Sequence, residues 1–317
     1  MTILDPDRKI VDAHHHLWPT GHPLAYPEAA YLKDLNAGHN VEAAVFVECG
    51  ACYRSEGDPA FSPVGETEYV AGARRSTRAT GGAVIGAGIV GFVDFTLPSA
   101  TVGRVLAAHI EAGEGAFRGV RRRDQATAPA RRYPSSEASF RAAFAELAPV
   151  GLSFDAWLFF DQLPELADLA AWSEETPIVV DHFGAPIAPS GTVEEREAVF
   201  SVWRANVIEL ARRPNVYMKL GGLGMPIFGF GFEAARGGPP ADAETLAHAW
   251  RPYVDVCVEA FGTGRCMFES NFPVDRVTAD YVTVWNAFKL LTQGAGEDEK
   301  AAVFSGTARR FYRLDSK

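Results

Sequence analysis

Along the chain, short runs of β-branched and apolar residues alternate with longer, alanine-rich stretches whose apolar positions recur at helical spacing. Runs at 10–16, 43–49, 83–90, 116–121, 153–159, 178–182, 216–220 and 266–270 read as strands, and stretches at 102–112, 137–147, 163–171, 194–212 and 243–261 as amphipathic helices. Strand and helix in repeated alternation mean parallel strands joined by helical crossovers. Eight such repeats predict an α/β protein built as a distorted (β/α)8 barrel of the TIM type. An open doubly wound sheet would carry a glycine-rich phosphate turn after its first strand; histidines stand there instead. No linker interrupts the pattern, so 1–317 reads as one domain. Long segments at 17–42, 122–136 and 221–240 follow strands one, four and seven. They leave the carboxyl ends of the strands, where barrel enzymes place their chemistry.

Composition narrows the picture without changing it. The 317 residues suffice for one barrel with enlarged loops, since such folds take roughly 250 residues. Forty acidic against thirty basic residues leave a net charge of −10, the wrong sign for a nucleic-acid surface. The first ten residues are polar and do not read as a signal peptide, and no stretch is long and apolar enough for a bilayer. Four scattered cysteines suggest a reducing, cytoplasmic setting. Cys49 and Cys52 form a Cys-x-x-Cys without a matching second pair, which favours buried small residues over a zinc ribbon or redox centre. A small molecule, anionic or polar, is the expected partner, with no nucleic acid and no membrane; a homo-oligomer is left open.

Candidate chemistry begins at Val11-Asp12-Ala13-His14-His15-His16-Leu17-Trp18. Alternate residues of a strand share a face, so His14 and His16 should point together, with Asp12 one layer below and His15 towards the helices. Two imidazoles at the end of a first barrel strand can bind one metal ion or donate to an oxyanion. His182, in Val179-Val180-Asp181-His182-Phe183-Gly184, ends strand six. With His14 and His16 it makes three nitrogen ligands around an open position, as at a catalytic metal. Asp181 has the opposite parity and reads as a supporting carboxylate.

The segments Asp12-Ala13-His14-His15-His16-Leu17-Trp18, Asp181-His182-Phe183-Gly184, Lys219-Leu220-Gly221-Gly222-Leu223 and Ser270-Asn271-Phe272-Pro273-Val274 follow in an order and spacing that resembles the amidohydrolase-related family. This is the amidohydrolase superfamily branch with sugar-lactone and pyrone-dicarboxylate lactonases. The resemblance runs from strand one to strand eight. It implies hydrolysis of a C–O ester in a lactone or related cyclic ester of a small carboxylated or sugar-derived compound. It also implies optional dependence on one divalent metal ion, zinc before others, because some relatives act without metal. The family usually ends strand eight with Ser-Asp-Trp-Pro, whose aspartate is the general base. Asn271 stands in its place, and a carboxamide cannot take up a proton at neutral pH. Asp275 in the same loop is the expected substitute, with Glu269, one layer deeper on the face of Asn271, as the alternative. Capping of the next helix is the competing role for Asp275.

No histidine, lysine or glutamate ends strand five, so at most one metal is expected; Asp155 and Trp157 stand there. Arg121 and Arg123 close strand four on one face, with Arg122 turned away, and an arginine fork suits a carboxylate or polarised carbonyl. Lys219, ending strand seven, and Glu48, ending strand two, complete the expected substrate contacts, Lys219 being equally suited to a buried ion pair. Two other functions fit the same pattern: a zinc-dependent decarboxylase of an aromatic or enol acid, and a barrel that binds a small acid without turnover.

Overall fold

The computed structural model describes residues 2–123, 133–232 and 240–314. Eight strands form one parallel sheet in sequence order: β1 (Ile10–His15), β2 (Val41–Val47), β3 (Val84–Phe92), β4 (Phe117–Arg123), β5 (Ser153–Trp157), β6 (Ile178–Val180), β7 (Val216–Leu220) and β8 (Cys266–Phe268). Each is followed by a helix: α1 (Glu28–Leu35), α2 (Val64–Thr80), α3 (Ser99–Ala112), α4 (Ala138–Phe144), α5 (Leu163–Trp172), α6 (Val193–Leu210), α7 (Ala243–Phe261) and α8 (Tyr281–Leu291). This is the expected (β/α)8 barrel. All eight strands fall where the apolar runs lie. The segment at 17–42 is not wholly loop, because it folds α1 on two apolar anchors, Tyr31 and Leu35. The segments at 122–136 and 221–240 lie partly outside the described residues.

The distortion is concentrated where the sheet closes. β8 is short, and the chain beyond it completes the barrel: the Asn271 amide donates to the His14 carbonyl at 3.0 Å, and the His16 amide to the Phe272 carbonyl at 2.8 Å. Outward strand residues such as Phe46, Ile89, Phe154 and Val180 pack under the helices. Inward ones, including Val11, Ala13, Val45, Val90, Val179 and Met267, pack with Phe311, Tyr312 and Leu314 of the C-terminal segment. The barrel interior is therefore filled below the site, as side-chain layers fill such barrels generally. No helix among the described residues is long and apolar enough to cross a membrane.

Candidate active site

The histidines converge as the strand pattern predicts, but by a different route. The register between β1 and β2 shifts between Asp12 and His15, a bulge that resets the alternation. His14 and His16 both turn inward, with their Nε2 atoms 3.2 Å apart. His15 turns outward and stacks on Tyr31, ring centroids 4.2 Å apart. Asp12 does not lie beneath the histidines. The bulge places it on the helix side, where it accepts hydrogen bonds from the hydroxyls of Ser270 at 2.6 Å, Tyr31 at 2.8 Å and Tyr281 at 3.0 Å. It also accepts from the Ser270 amide at 2.8 Å, and so ties β1 to the end of β8.

His182 joins the group, its ring centroid 4.7 Å from that of His14. β6 ends at Val180, and His182 and Phe183 adopt positive φ of 53° and 58°. The turn aims His182 inward, while Asp181 shares the inward face of Val179 and pairs with Lys219 and Arg121 as a supporting carboxylate. That carboxylate faces the barrel interior, 3.6 Å from His14 Nδ1 and 2.9 Å from Lys219 Nζ. Among the described residues, His14, Asp181 and His182 offer ligand atoms within 4.8 Å of one another. Glycines of the loop after β7 make this packing feasible. A Cβ on Gly222 would lie 2.4 Å from His182 Nδ1, and one on Gly224 2.7 Å from Asp275 Oδ2.

The expected substrate contacts are held by partners. Arg121 Nε donates to Glu48 Oε1 at 2.8 Å, its Nη2 to the Glu48 carbonyl, and its Nη1 lies 3.5 Å from Asp181 Oδ2 and 3.4 Å from His14 Nε2. Lys219, fully buried, donates to Asp155 Oδ2 at 2.7 Å, which also accepts from the Tyr312 hydroxyl at 2.6 Å. The structure thus holds Lys219 in ion pairs with Asp155 and Asp181, and Glu48 in one with Arg121. Arg122 turns outward over the Phe140 ring of α4, as expected; the side chain of Arg123 lies outside the described residues. Cys49 and Cys52 are unbridged, and burial and Glu66 push the Cys49 thiol well above its usual range, so that it is a poor nucleophile.

Charges in this buried cluster do not balance. Four carboxylates, Glu48, Asp155, Asp181 and Glu269, face two cations, Arg121 and Lys219. Burial first, then the Lys219 charge, lowers His14, and burial lowers His16 further, so both imidazoles are neutral near pH 7. Burial pushes Asp155 up to about 6 despite Lys219, whereas for Asp181 burial is outweighed by Lys219, His14 and His182 together, which hold it well below its usual range. One oxygen of each of Asp155, Asp181 and Glu269 (Oδ1, Oδ1 and Oε2) accepts no hydrogen bond of good geometry. Such a surplus of negative charge and unused lone pairs suits a cation.

The imidazoles fit the same ion. His16 Nδ1 lies 2.7 Å from the Val47 carbonyl, which only accepts, so this nitrogen carries the proton and Nε2 presents a lone pair. It faces His14 Nε2 at 3.2 Å. Two nitrogens bound tetrahedrally to one zinc at about 2.05 Å would be about 3.3 Å apart. The residues present therefore fit a single divalent metal.

Asp275 is buried near this group, a position invisible to sequence alternation. Its Oδ1 accepts from Asn271 Nδ2 at 2.7 Å and its Oδ2 from the Gly224 amide at 2.9 Å. Burial pushes it up to about 7, against the opposing influence of nearby His182 and these hydrogen bonds. Asn271, with φ 54°, thus serves as donor to Asp275. Trp157, to which the sequence assigned no role, lies half-buried at the end of β5, edge-on to His182 with centroids 6.1 Å apart. Its parity with the inward Asp155 was the available signal.

Comparison with known proteins identifies the family. The model of the amidohydrolase family matches residues 11–314, and the chain belongs to that family of hydrolases. It is 31% identical to an uncharacterised protein, y4mH, of Sinorhizobium fredii, over 97% of this chain and 99% of that one. It is 28% identical to an L-fucono-1,5-lactonase of Burkholderia multivorans, over 72% of each chain. The crystal structure of an amidohydrolase from Burkholderia multivorans with bound zinc superposes with a TM-score of 0.73 at 25% identity, covering 96% of this chain and 99% of that one.

Proposed function

We propose that this chain hydrolyses the ring ester of a small lactone, sugar-derived or carboxylated. The observation that carries the reading is the pair of Nε2 atoms of His14 and His16, facing each other at 3.2 Å beside His182, with a carboxyl poised near neutrality at Asp275. His14, His16 and His182 would hold one divalent metal, zinc in the first place, with Asp181 adjoining. When bound, that ion polarises the ester carbonyl as a Lewis acid. The similarity to an L-fucono-1,5-lactonase and to a zinc-containing amidohydrolase supports both parts.

The chain's own residues supply the proton transfers. Asp275, ionised, takes a proton from the attacking water, whose oxygen bonds to the acyl carbon. Collapse of the tetrahedral adduct breaks the bond to the ring oxygen, and Asp275 returns its proton to that leaving oxygen. Water is thus added across the C–O bond to give a hydroxy acid, which ionises near neutral pH and releases one proton. Asn271 and the Gly224 amide hold the Asp275 carboxylate in place. Trp157 forms a wall beside His182 against which a ring substrate can lie.

The test is a panel of aldonolactones and carboxylated lactones in weak buffer with a pH indicator, alongside elemental analysis of the purified protein. Proton release with at least one lactone and about one equivalent of metal per chain is expected. Metal-loaded protein that turns over none of the panel would overturn the assignment.

A further inference from the structure

Strand eight lacks the aspartate of the Ser-Asp-Trp-Pro pattern, yet it delivers a carboxylate two residues earlier. We infer that Glu269 is the positioning residue of the site: a single buried carboxylate that sets the tautomers of both His14 and His182 and so leaves the Nε2 atom of each unprotonated. Its Oε1 accepts from His182 Nδ1 at 2.7 Å and from the His182 amide at 3.2 Å. Its Oε2 lies 2.9 Å from His14 Nδ1, an ion-pair contact, and accepts no hydrogen bond of good geometry from any described residue. Glu269 is fully buried, so water cannot take over either role.

The alternative proton placement on His14 is the worse one. With the proton on Nε2, a lone pair on Nδ1 would face Glu269 Oε2 at 2.9 Å and Asp181 Oδ1 at 3.6 Å. In that placement Nε2 could donate to His16 Nε2 at 3.2 Å and the third ammonium proton of Lys219 to Nδ1 at 3.2 Å, but the Glu269 carboxylate would still meet a lone pair at 2.9 Å. With the proton on Nδ1, the 2.9 Å approach to Glu269 Oε2 becomes attractive. His14 then joins His182 and His16 in presenting an unprotonated Nε2. Carboxylates that fix ligand imidazoles in this manner typically change metal affinity by about 10–100-fold when altered. The Glu269 carboxylate acts on two ligands at once, so the vacancy left at Asn271 is filled for positioning by Glu269 and for proton transfer by Asp275. The metal part of this inference rests on the proposed function; the tautomer part does not.

The experiment uses full-length, zinc-free protein with 15N-labelled histidine, read by long-range 1H–15N correlation without substrate. His14 and His182 signals are assigned by their loss in H14N and H182N. Wild type should show both residues protonated at Nδ1. In E269Q the carboxamide accepts through one oxygen only, so one of the two imidazoles should move its proton to Nε2. Zinc affinity, measured by competition with a chromophoric chelator, should weaken about 10–100-fold in the same variant. E269D, which keeps the carboxylate, should keep both tautomers with a smaller loss. Either histidine protonated at Nε2 in the wild type would overturn the inference, as would E269Q with unchanged tautomers and zinc affinity within threefold. Should E269Q not fold, the wild-type spectrum and E269D decide. Failure of lactone turnover would leave these readings standing.

Discussion

Replacing Asp275 by Asn removes the proton acceptor while keeping its size and leaving Asn271 and Gly224 in place. The structure sets the scale of the effect. Burial raises this carboxyl from 3.8 to about 7, so near pH 7 about half of it is ionised. A positioned base contributes roughly 10²–10⁴-fold in rate. Allowing for partial rescue by bulk hydroxide, kcat should fall at least about tenfold. The parent's kcat/KM should climb roughly tenfold between pH 6 and 8, as the ionised fraction of a group titrating near 7 does, and the variant should lose that limb. Stability should move the other way. A carboxyl raised by the fold adds stability in its neutral form, fully present below its unfolded value and lost as pH rises through about 7. The loss is at most on the order of 4 kcal/mol for a shift of this size. Asn cannot ionise, so at pH 8 the variant should unfold at a temperature no lower than the parent. Indicator-coupled kinetics from pH 5.5 to 9, with thermal unfolding at pH 6 and 8, give both readouts. Parental kcat and an unchanged pH profile in the variant would refute the assignment and leave Asp275 as a structural carboxyl.

Asn271→Asp would set a second carboxylate where an amide now donates to Asp275 at 2.7 Å. Repulsion should then raise the proton affinity of the pair and move the rising limb of the pH profile to higher pH; an unmoved limb would show that the two side chains do not act together. His182→Asn should release a bound metal, seen as loss of stoichiometric zinc after dialysis, and full retention would remove His182 from the ligand set. Asp12→Ala would strand four buried donors from Ser270, Tyr31 and Tyr281. It should cost at least about 3 kcal/mol in urea unfolding, and a cost below about 1 kcal/mol would show that the β1–β8 clasp does not bear on stability.

The barrel was legible because its information is local. Each strand is a short apolar run and most helices carry a clear periodic face, so eight repeats could be counted in order. His14 and His16 were legible for the same reason, being two residues apart at a strand end. What failed was parity beyond the regular ladder. The bulge after Asp12 and the left-handed turn at His182 each reset the alternation. Asp12 therefore went out when it was expected in, and His182 came in alongside Asp181 although the two have opposite parity. Neither shift has a glycine or proline at the position itself to announce it. The burial of Arg121 and Lys219 among carboxylates was equally hidden, because Glu48, Asp155 and Asp181 lie on other strands and meet only when the barrel closes.

The substitution at Asn271 explains itself only with that closure in view. One aspartate at this place would have to accept a proton from water while lying among histidines already facing two carboxylates, Asp181 and Glu269. Here those demands are separated. Glu269, whose affinity for protons the neighbouring His182 and His14 hold below the usual range although burial works to raise it, remains an anion and can only orient. Asp275, lifted to about 7 in a pocket bounded by Asn271 and Gly224, can exchange its proton near neutral pH. Oppositely shifted carboxyls side by side are how a site assigns different duties to the same functional group. An amide at Asn271 favours the division, since it donates to the base without adding charge to it.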